Sequence, residues 1–108
     1  MSYAEFWERY LRAHAKPATR LLHYAGSLLA LGLLAAGFWD WRFVIAAPVV
    51  GYGFAWGAHF GVEGNQPETF GHPLWSLVSD FRMFFLALCG RLGPHLERVG
   101  VFTSRRRA

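Results

Sequence analysis

The sequence predicts an all-α fold, a small integral membrane helical bundle. It comprises an antiparallel transmembrane hairpin, a third membrane-embedded helix and an interfacial helix at the N-terminus. Two uncharged runs carry most of that prediction, Leu21 to Trp39 and Phe43 to Val62, the second interrupted only by His59. Asp40, Trp41 and Arg42 separate the runs and supply a polar turn. The third observation is a basic N-terminal segment, Tyr3 to Lys16, whose aromatics recur at helical spacing.

The 108 residues make one domain, 1–108, since a domain takes about 100–200 residues. Hydrophobic residues are 54% of the chain, above the usual ~45–50%, and the excess sits in the two blocks. The net charge of +4 comes largely from arginines at the two ends, Arg105, Arg106 and Arg107 among them, which suits anionic lipid headgroups. Nucleic acid is excluded as a partner, because the apolar blocks leave no room for a contiguous basic face with interleaved aromatics. Cys89 is the only cysteine, so neither an intramolecular disulfide nor a cysteine-based zinc site is open to the chain. The N-terminus mixes Glu5, Glu8, Arg9 and Arg12 with aromatics and does not read as a signal peptide.

Ser2 and Glu5 have capping-box spacing, and Tyr3, Phe6, Trp7, Tyr10 and Leu11 follow on one side of a helix over 3–16. With Glu8, Arg9, Arg12 and Lys16 toward water, that helix suits the membrane interface. Pro17 opens the first transmembrane helix, 18–39, close to the roughly 20 residues that cross a bilayer. Trp39 and Trp41 mark the headgroup boundary. The second transmembrane helix, 42–62, returns antiparallel and contains Pro48, a defect that neighbouring helices can compensate. Gly53, Gly57 and Gly61 repeat every four residues, a pattern that lets a second helix approach closely. Glycines and prolines from Glu63 to Pro73 mark a loop.

The third membrane helix covers 74–92, with Asp80 and Arg82 required to face protein or a polar cavity rather than lipid. Gly93 and Pro94 end it, leaving a basic tail, 94–108. Arg9, Arg12, Lys16 and Arg20 lie on one side of the hairpin against Arg42 in its turn, so the positive-inside rule places the N-terminus in the cytoplasm.

Counting along the hairpin brings chemistry together. His23 lies 17 residues before Asp40 and His59 lies 19 after it, so an antiparallel pair sets both imidazoles at nearly one depth, about 3 Å out of register. His14 ends the first helix just before His23, while Glu63, His72 and Asp80 follow His59 toward the same membrane face. His59 and Glu63 stand four apart and share a helix face. Two or more imidazoles with a carboxylate and open positions form the ligand set of non-heme Fe(II) oxygenases, and zinc accepts the same atoms. Asp80 is placed to orient an imidazole from behind, or else to pair with Arg82. His72 lies in a loop between Gly71 and Pro73, and His95 sits beside Glu97 and Arg98 in the tail.

Nearly the whole chain, Phe6 to about Leu92, also resembles a known family. The resemblance runs through Phe6, Tyr10, His14, Pro17, Arg20, Leu22, His23 and Gly26. It continues at Gly51, Gly53, Phe54, His59, Glu63, Asn65, Pro67 and Phe70, and closes with Pro73, Leu74, Trp75, Asp80, Phe81, Arg82 and Met83. The family comprises small membrane proteins formerly grouped as a domain of unknown function, whose yeast member is a 2-hydroxy fatty acid dioxygenase of fatty-acid α-oxidation. The resemblance implies an enzyme that uses Fe(II) and dioxygen to shorten a 2-hydroxy fatty acid or related lipid by one carbon. His14, His23 and His59 would be its iron ligands and Glu63 an acidic residue of the same site. Two other classes use the same histidines: a non-catalytic membrane module for lipid binding or assembly, and a bis-histidine heme protein. Neither the oligomeric state nor the particular membrane is legible in the sequence.

Overall fold

The computed structural model describes residues 1–101, and Arg105, Arg106 and Arg107 of the basic tail lie outside them. Those residues are helical throughout, with no strand among them: α1 (Tyr3–Arg12), α2 (Pro17–Ala36), α3 (Arg42–Gly57), α4 (Pro73–Leu88) and α5 (Leu92–Arg98). A π-helical turn, Ala58–Glu63, extends α3, and a 3-10 turn, Glu68–Phe70, precedes α4.

Helix α1 starts at the expected capping box, with Glu5 N–H donating to Ser2 Oγ and Ser2 N–H donating to Glu5 Oε1. Its spacing of one, three and one residues puts Phe6, Trp7, Tyr10 and Leu11 on one face, all buried. They form the main apolar cluster with Met83 of α4, Leu92 and Leu96 of α5, and Val101 just beyond it. The aromatic face of α1 is therefore covered by protein, because α4 and α5 offer it an apolar surface.

The α2–α3 hairpin is built the other way round. Its inner face is small or polar, with Gly26, Ser27, Ala30, Ala47, Ala55 and Ala58 buried, while Leu21, Leu28, Leu29, Val44, Ile45, Val49 and Phe60 are exposed. The helices touch most closely where a Cβ on Gly26 would stand 2.7 Å from Phe54 Cβ and 3.3 Å from the Gly51 carbonyl oxygen. Gly53, Gly57 and Gly61, expected from their spacing to receive a helix, meet nothing within 4 Å. The reason is rotational: the α2-facing stripe of α3 runs through Ala47, Gly51, Phe54 and Ala58, so those three glycines point elsewhere. At the turn Arg42 pairs with Asp40 at 2.7 Å, and Phe38 and Trp39 are 92% and 86% exposed.

Pro17–Ala36 and Arg42–Glu63, of 20 and 22 residues, are long and apolar enough to cross a membrane. Helix α4, with 16 residues, extends only about 24 Å. It stops earlier than its composition suggests, at Gly90 (φ 72°), and Gly93 and Pro94 fall inside α5 instead of ending α4. A left-handed glycine terminates a helix by turning its last N–H groups back onto free carbonyls. Arg82 does not pair with Asp80; its guanidinium lies over the Trp7 ring, 4.2 Å from the centroid. Asp80 is left free to face α2.

The close approach at Gly26 predicts that Gly26→Ala destabilises the protein by about 1–3 kcal/mol, the cost of overpacking. Gly53→Ala, with open space around it, is expected to be neutral or to stabilise by up to ~1 kcal/mol through helix propensity. Thermal unfolding in mild detergent, followed by circular dichroism, checks the contrast.

Candidate metal centre

Three elements each deliver one histidine to a single point. His14 follows the end of α1, His23 lies in the second turn of α2, and His59 is the second residue of the π-helical turn after α3. All three are buried. His14 Nε2 and His23 Nε2 are 3.1 Å apart, and His23 Nε2 and His59 Nε2 are 3.3 Å apart. Each residue offers a ligand atom, and the three atoms lie within 4.8 Å of one another. A metal about 2.1 Å from each nitrogen would set neighbouring nitrogens about 3.0 Å apart at right angles, or about 3.4 Å at the tetrahedral angle. The observed separations fall in that window.

At His14 and His59 the opposite edge of the ring fixes its proton. His14 Nδ1 stands 2.6 Å from the Tyr10 carbonyl oxygen, which can only accept, so Nδ1 carries the hydrogen. His59 Nδ1 meets Asn65 Oδ1 at 2.7 Å, and the amide's orientation is set because Asn65 Nδ2 donates to the Ala13 carbonyl at 3.0 Å. His23 Nδ1 faces Asp80 Oδ1 at 3.5 Å, and the Tyr10 hydroxyl donates to that same oxygen. With Nδ1 protonated on His14 and His59, the Nε2 lone pairs of both point inward, toward His23 Nε2. Outer partners of this kind fix the tautomer and orientation of metal-binding imidazoles.

The electrostatics agree. Burial, with help from the neighbouring imidazoles of His23 and His59, holds the His14 imidazole well below its ordinary value of 6.5. Burial and the Asp80 carboxylate push the Tyr10 phenol well above 10, so it remains a donor. Tyr10 also stacks on His14, with ring centroids 4.1 Å apart.

Local structure explains the convergence. Arg20, buried near the start of α2, donates from Nη1 to the carbonyls of His14 and Ala15 at 2.7 and 2.9 Å, pinning the α1–α2 link. After His59 the chain turns through π geometry, with Gly64 N–H and Asn65 N–H both donating to the His59 carbonyl. Gly64 takes φ 78°, and that curl returns the Asn65 side chain to the ring from which it started. Such π turns are frequent at functional sites.

Of the residues expected from sequence, His14, His23 and His59 come together, with Asp80 behind His23. Glu63 goes elsewhere: its Oε1 accepts from Lys16 N–H at 3.1 Å and Thr19 Oγ1 at 2.6 Å, closing the N-terminus of α2. His72 packs against Trp75 and Phe6, and His95 accepts from Trp7 Nε1. Asn65, Tyr10 and Arg20 were not read as site residues from the sequence. Their sequence signals are a place among the residues that carry the family resemblance and their nearness to the histidines. A cavity of about 260 Å³ starts at His23 and Asp80 and runs between α2, α3 and α4.

The arrangement defines a helical protein with three buried histidines, close enough together to hold a metal ion, at the head of an apolar cavity. A bis-histidine heme does not fit it: axial nitrogens would stand about 4 Å apart with a macrocycle between them, whereas His23 Nε2 and His59 Nε2 are 3.3 Å apart and the His14 ring centroid lies 4.4 Å from each of the other two. A family model described as 2-hydroxy-palmitic acid dioxygenase Mpo1-like matches residues 1–92, and the chain belongs to that family. No curated protein and no solved structure matches the chain.

Two outcomes follow from the geometry. The unfolded chain's histidines titrate near 6.5, whereas folded His14 titrates lower. As pH falls below about 6.5 the unfolded state therefore takes up more protons, and protons also compete for Nε2. Stability and metal content should be full above that pH and decline below it, as read by melting temperature and elemental analysis across a pH series. Asn65→Leu, which removes the acceptor behind His59, should weaken metal binding about 10–100-fold while leaving the helical spectrum unchanged.

Proposed function

We propose that this chain is an Fe(II)-dependent dioxygenase of the membrane that shortens 2-hydroxy fatty acids by one carbon. The observation that carries the proposal is the convergence of three buried, inward-facing Nε2 atoms at the polar end of an apolar cavity. Membership in a family described as 2-hydroxy-palmitic acid dioxygenase supports the substrate class and the use of dioxygen.

His14, His23 and His59 are the proposed metal ligands. Three nitrogen donors leave the remaining positions open to substrate and dioxygen. Iron, when bound, supplies an electron source and a template for the two reactants, which redox-inert zinc does not. The Tyr10 carbonyl, Asp80 and Asn65 hold the imidazoles in the tautomer that binds metal, and the buried setting keeps His14 unprotonated. The Tyr10 phenol keeps its proton and so holds Asp80 in place behind His23. The apolar walls of α2, α3 and α4 take the acyl chain and exclude water from the reacting end. Glu63 acts by joining the π turn to the start of α2, holding His59 and His14 in register.

Membrane residence is supported by the hairpin's inverted pattern, large apolar side chains outward and small ones inward. In lipid no hydrophobic force separates those faces, so small residues gather where helices touch. Arg9, Arg12, Lys16 and Arg20 at the histidine end favour a cytoplasmic N-terminus.

Protein purified in mild detergent and loaded anaerobically with Fe(II) should convert 2-hydroxypalmitate and dioxygen to a product one carbon shorter. The zinc-loaded protein should be inert. His23→Gln should lose bound iron and lower turnover about 100-fold or more while remaining helical. A protein that binds no iron, or binds it and releases no shortened product, would refute the proposal. The rival class, a non-catalytic lipid-binding or assembly module, expects His23→Gln to change stability alone.

A further inference from the structure

The cavity beside the histidines is polar at one end only. His23, Asp80, Ser27 and Tyr52 stand there, and the rest of the wall is apolar, including Ala30, Leu34 and Ala47. His23, Ser27, Ala30 and Leu34 follow one another by four, three and four residues, so they form one stripe along α2. The eleven residue steps from His23 to Leu34 cover about 16 Å. Half of a hydrocarbon core of about 30 Å is nearly the same length, so the slot is one leaflet deep.

Its open side faces outward. α3 and α4 each pack on α2, yet the two scarcely touch each other. Between them the cavity reaches the surface past Pro48 of α3 and Leu77 of α4, both exposed and apolar. A rim of that chemistry admits hydrocarbon and offers nothing to water. The groove on the far side of the hairpin, lined by Leu22, Val49, Gly53 and Phe54, reaches none of the histidines.

We infer that the cavity is a slot for a single acyl chain, admitted sideways from the bilayer between α3 and α4. Its polar head lies at His23 and its tail runs along α2 toward the turn at Asp40. The identity of the head as a 2-hydroxy acid rests on the function proposed above. The slot itself requires only a single-chain amphiphile.

Photolabelling distinguishes the two. The full chain, reconstituted in phosphatidylcholine vesicles, is irradiated with palmitic acid carrying a diazirine either next to the carboxyl or near the methyl end, and labelled peptides are mapped by mass spectrometry. The carboxyl-proximal probe should label the Ser27, Tyr52 or Asp80 region, and the methyl-end probe the Ala30 to Leu34 or Ala47 to Pro48 region. Excess 2-hydroxypalmitate should suppress both labels several-fold. Leu77→Trp should reduce labelling several-fold by narrowing the rim, whereas Val49→Trp, on the far groove, should not. No labelling in the slot, labels in the far groove, a reversed order along α2 or insensitivity to Leu77→Trp would each overturn the slot. Correct labelling without turnover would overturn the dioxygenase reading alone, and turnover with labels outside the slot would overturn only the slot.

Discussion

Three buried imidazoles that gather at one point, with His23 Nε2 3.1 Å from that of His14 and 3.3 Å from that of His59, need positive charge, a proton's or a metal ion's, between their lone pairs. That constraint organises the protein. A shared proton is one source of such charge, but burial disfavours protonation at His14. A metal ion is the other, and the nitrogen spacing suits it. On the outer side of the cluster, His14 Nδ1 and His59 Nδ1 each meet an acceptor, and the Tyr10 hydroxyl donates to Asp80. A buried polar cluster survives only when its members are satisfied, since each orphaned group costs ~1–3 kcal/mol.

The rest of the fold serves to hold that cluster. Each Nδ1 is fixed from a different quarter: the Tyr10 carbonyl comes from α1, Asp80 from α4 and Asn65 from the loop after the π turn. Tyr10 adds a second bond by donating to Asp80, coupling α1 to α4 behind His23. Arg20 and Glu63 do similar work on the backbone, one at the α1–α2 link and the other between the π turn and α2. Meanwhile the glycine contact at Gly26 draws α2 and α3 together above the histidines. The aromatic cluster of α1, α4 and α5 supplies the apolar core that the hairpin, with its small inner residues, does not.

The same asymmetry creates the cavity. Because α3 and α4 both lean on α2 and diverge from each other, a space lined by Ala30, Ala47 and Leu34 is left beside His23. Filling it with larger side chains would give a tighter bundle and no room for an acyl chain. The packing given up on that side of α2 is what leaves the cavity open beside His23.

The sequence by itself determined the helical class, the hairpin and the convergence of His14, His23 and His59. These follow from local rules: uncharged runs of set length, a charged turn, a capping box, and a residue count that doubles back on itself. Where signals depend on rotation about a helix or on loop geometry, the tertiary structure decided. The glycine repeat at 53, 57 and 61 was legible, but its partner was not, because small differences in helix phase select which stripe meets α2. Glu63 stood four residues from His59 and so shared a face with it by spacing, yet Lys16 and Thr19 capture its carboxylate at the start of α2. Asn65 entered the site only because the chain unwinds to π geometry and reverses at Gly64, a change of course that no periodicity encodes. Contacts within a helix are written in the spacing of its residues, whereas contacts between helices depend on three-dimensional fit that the linear order leaves open.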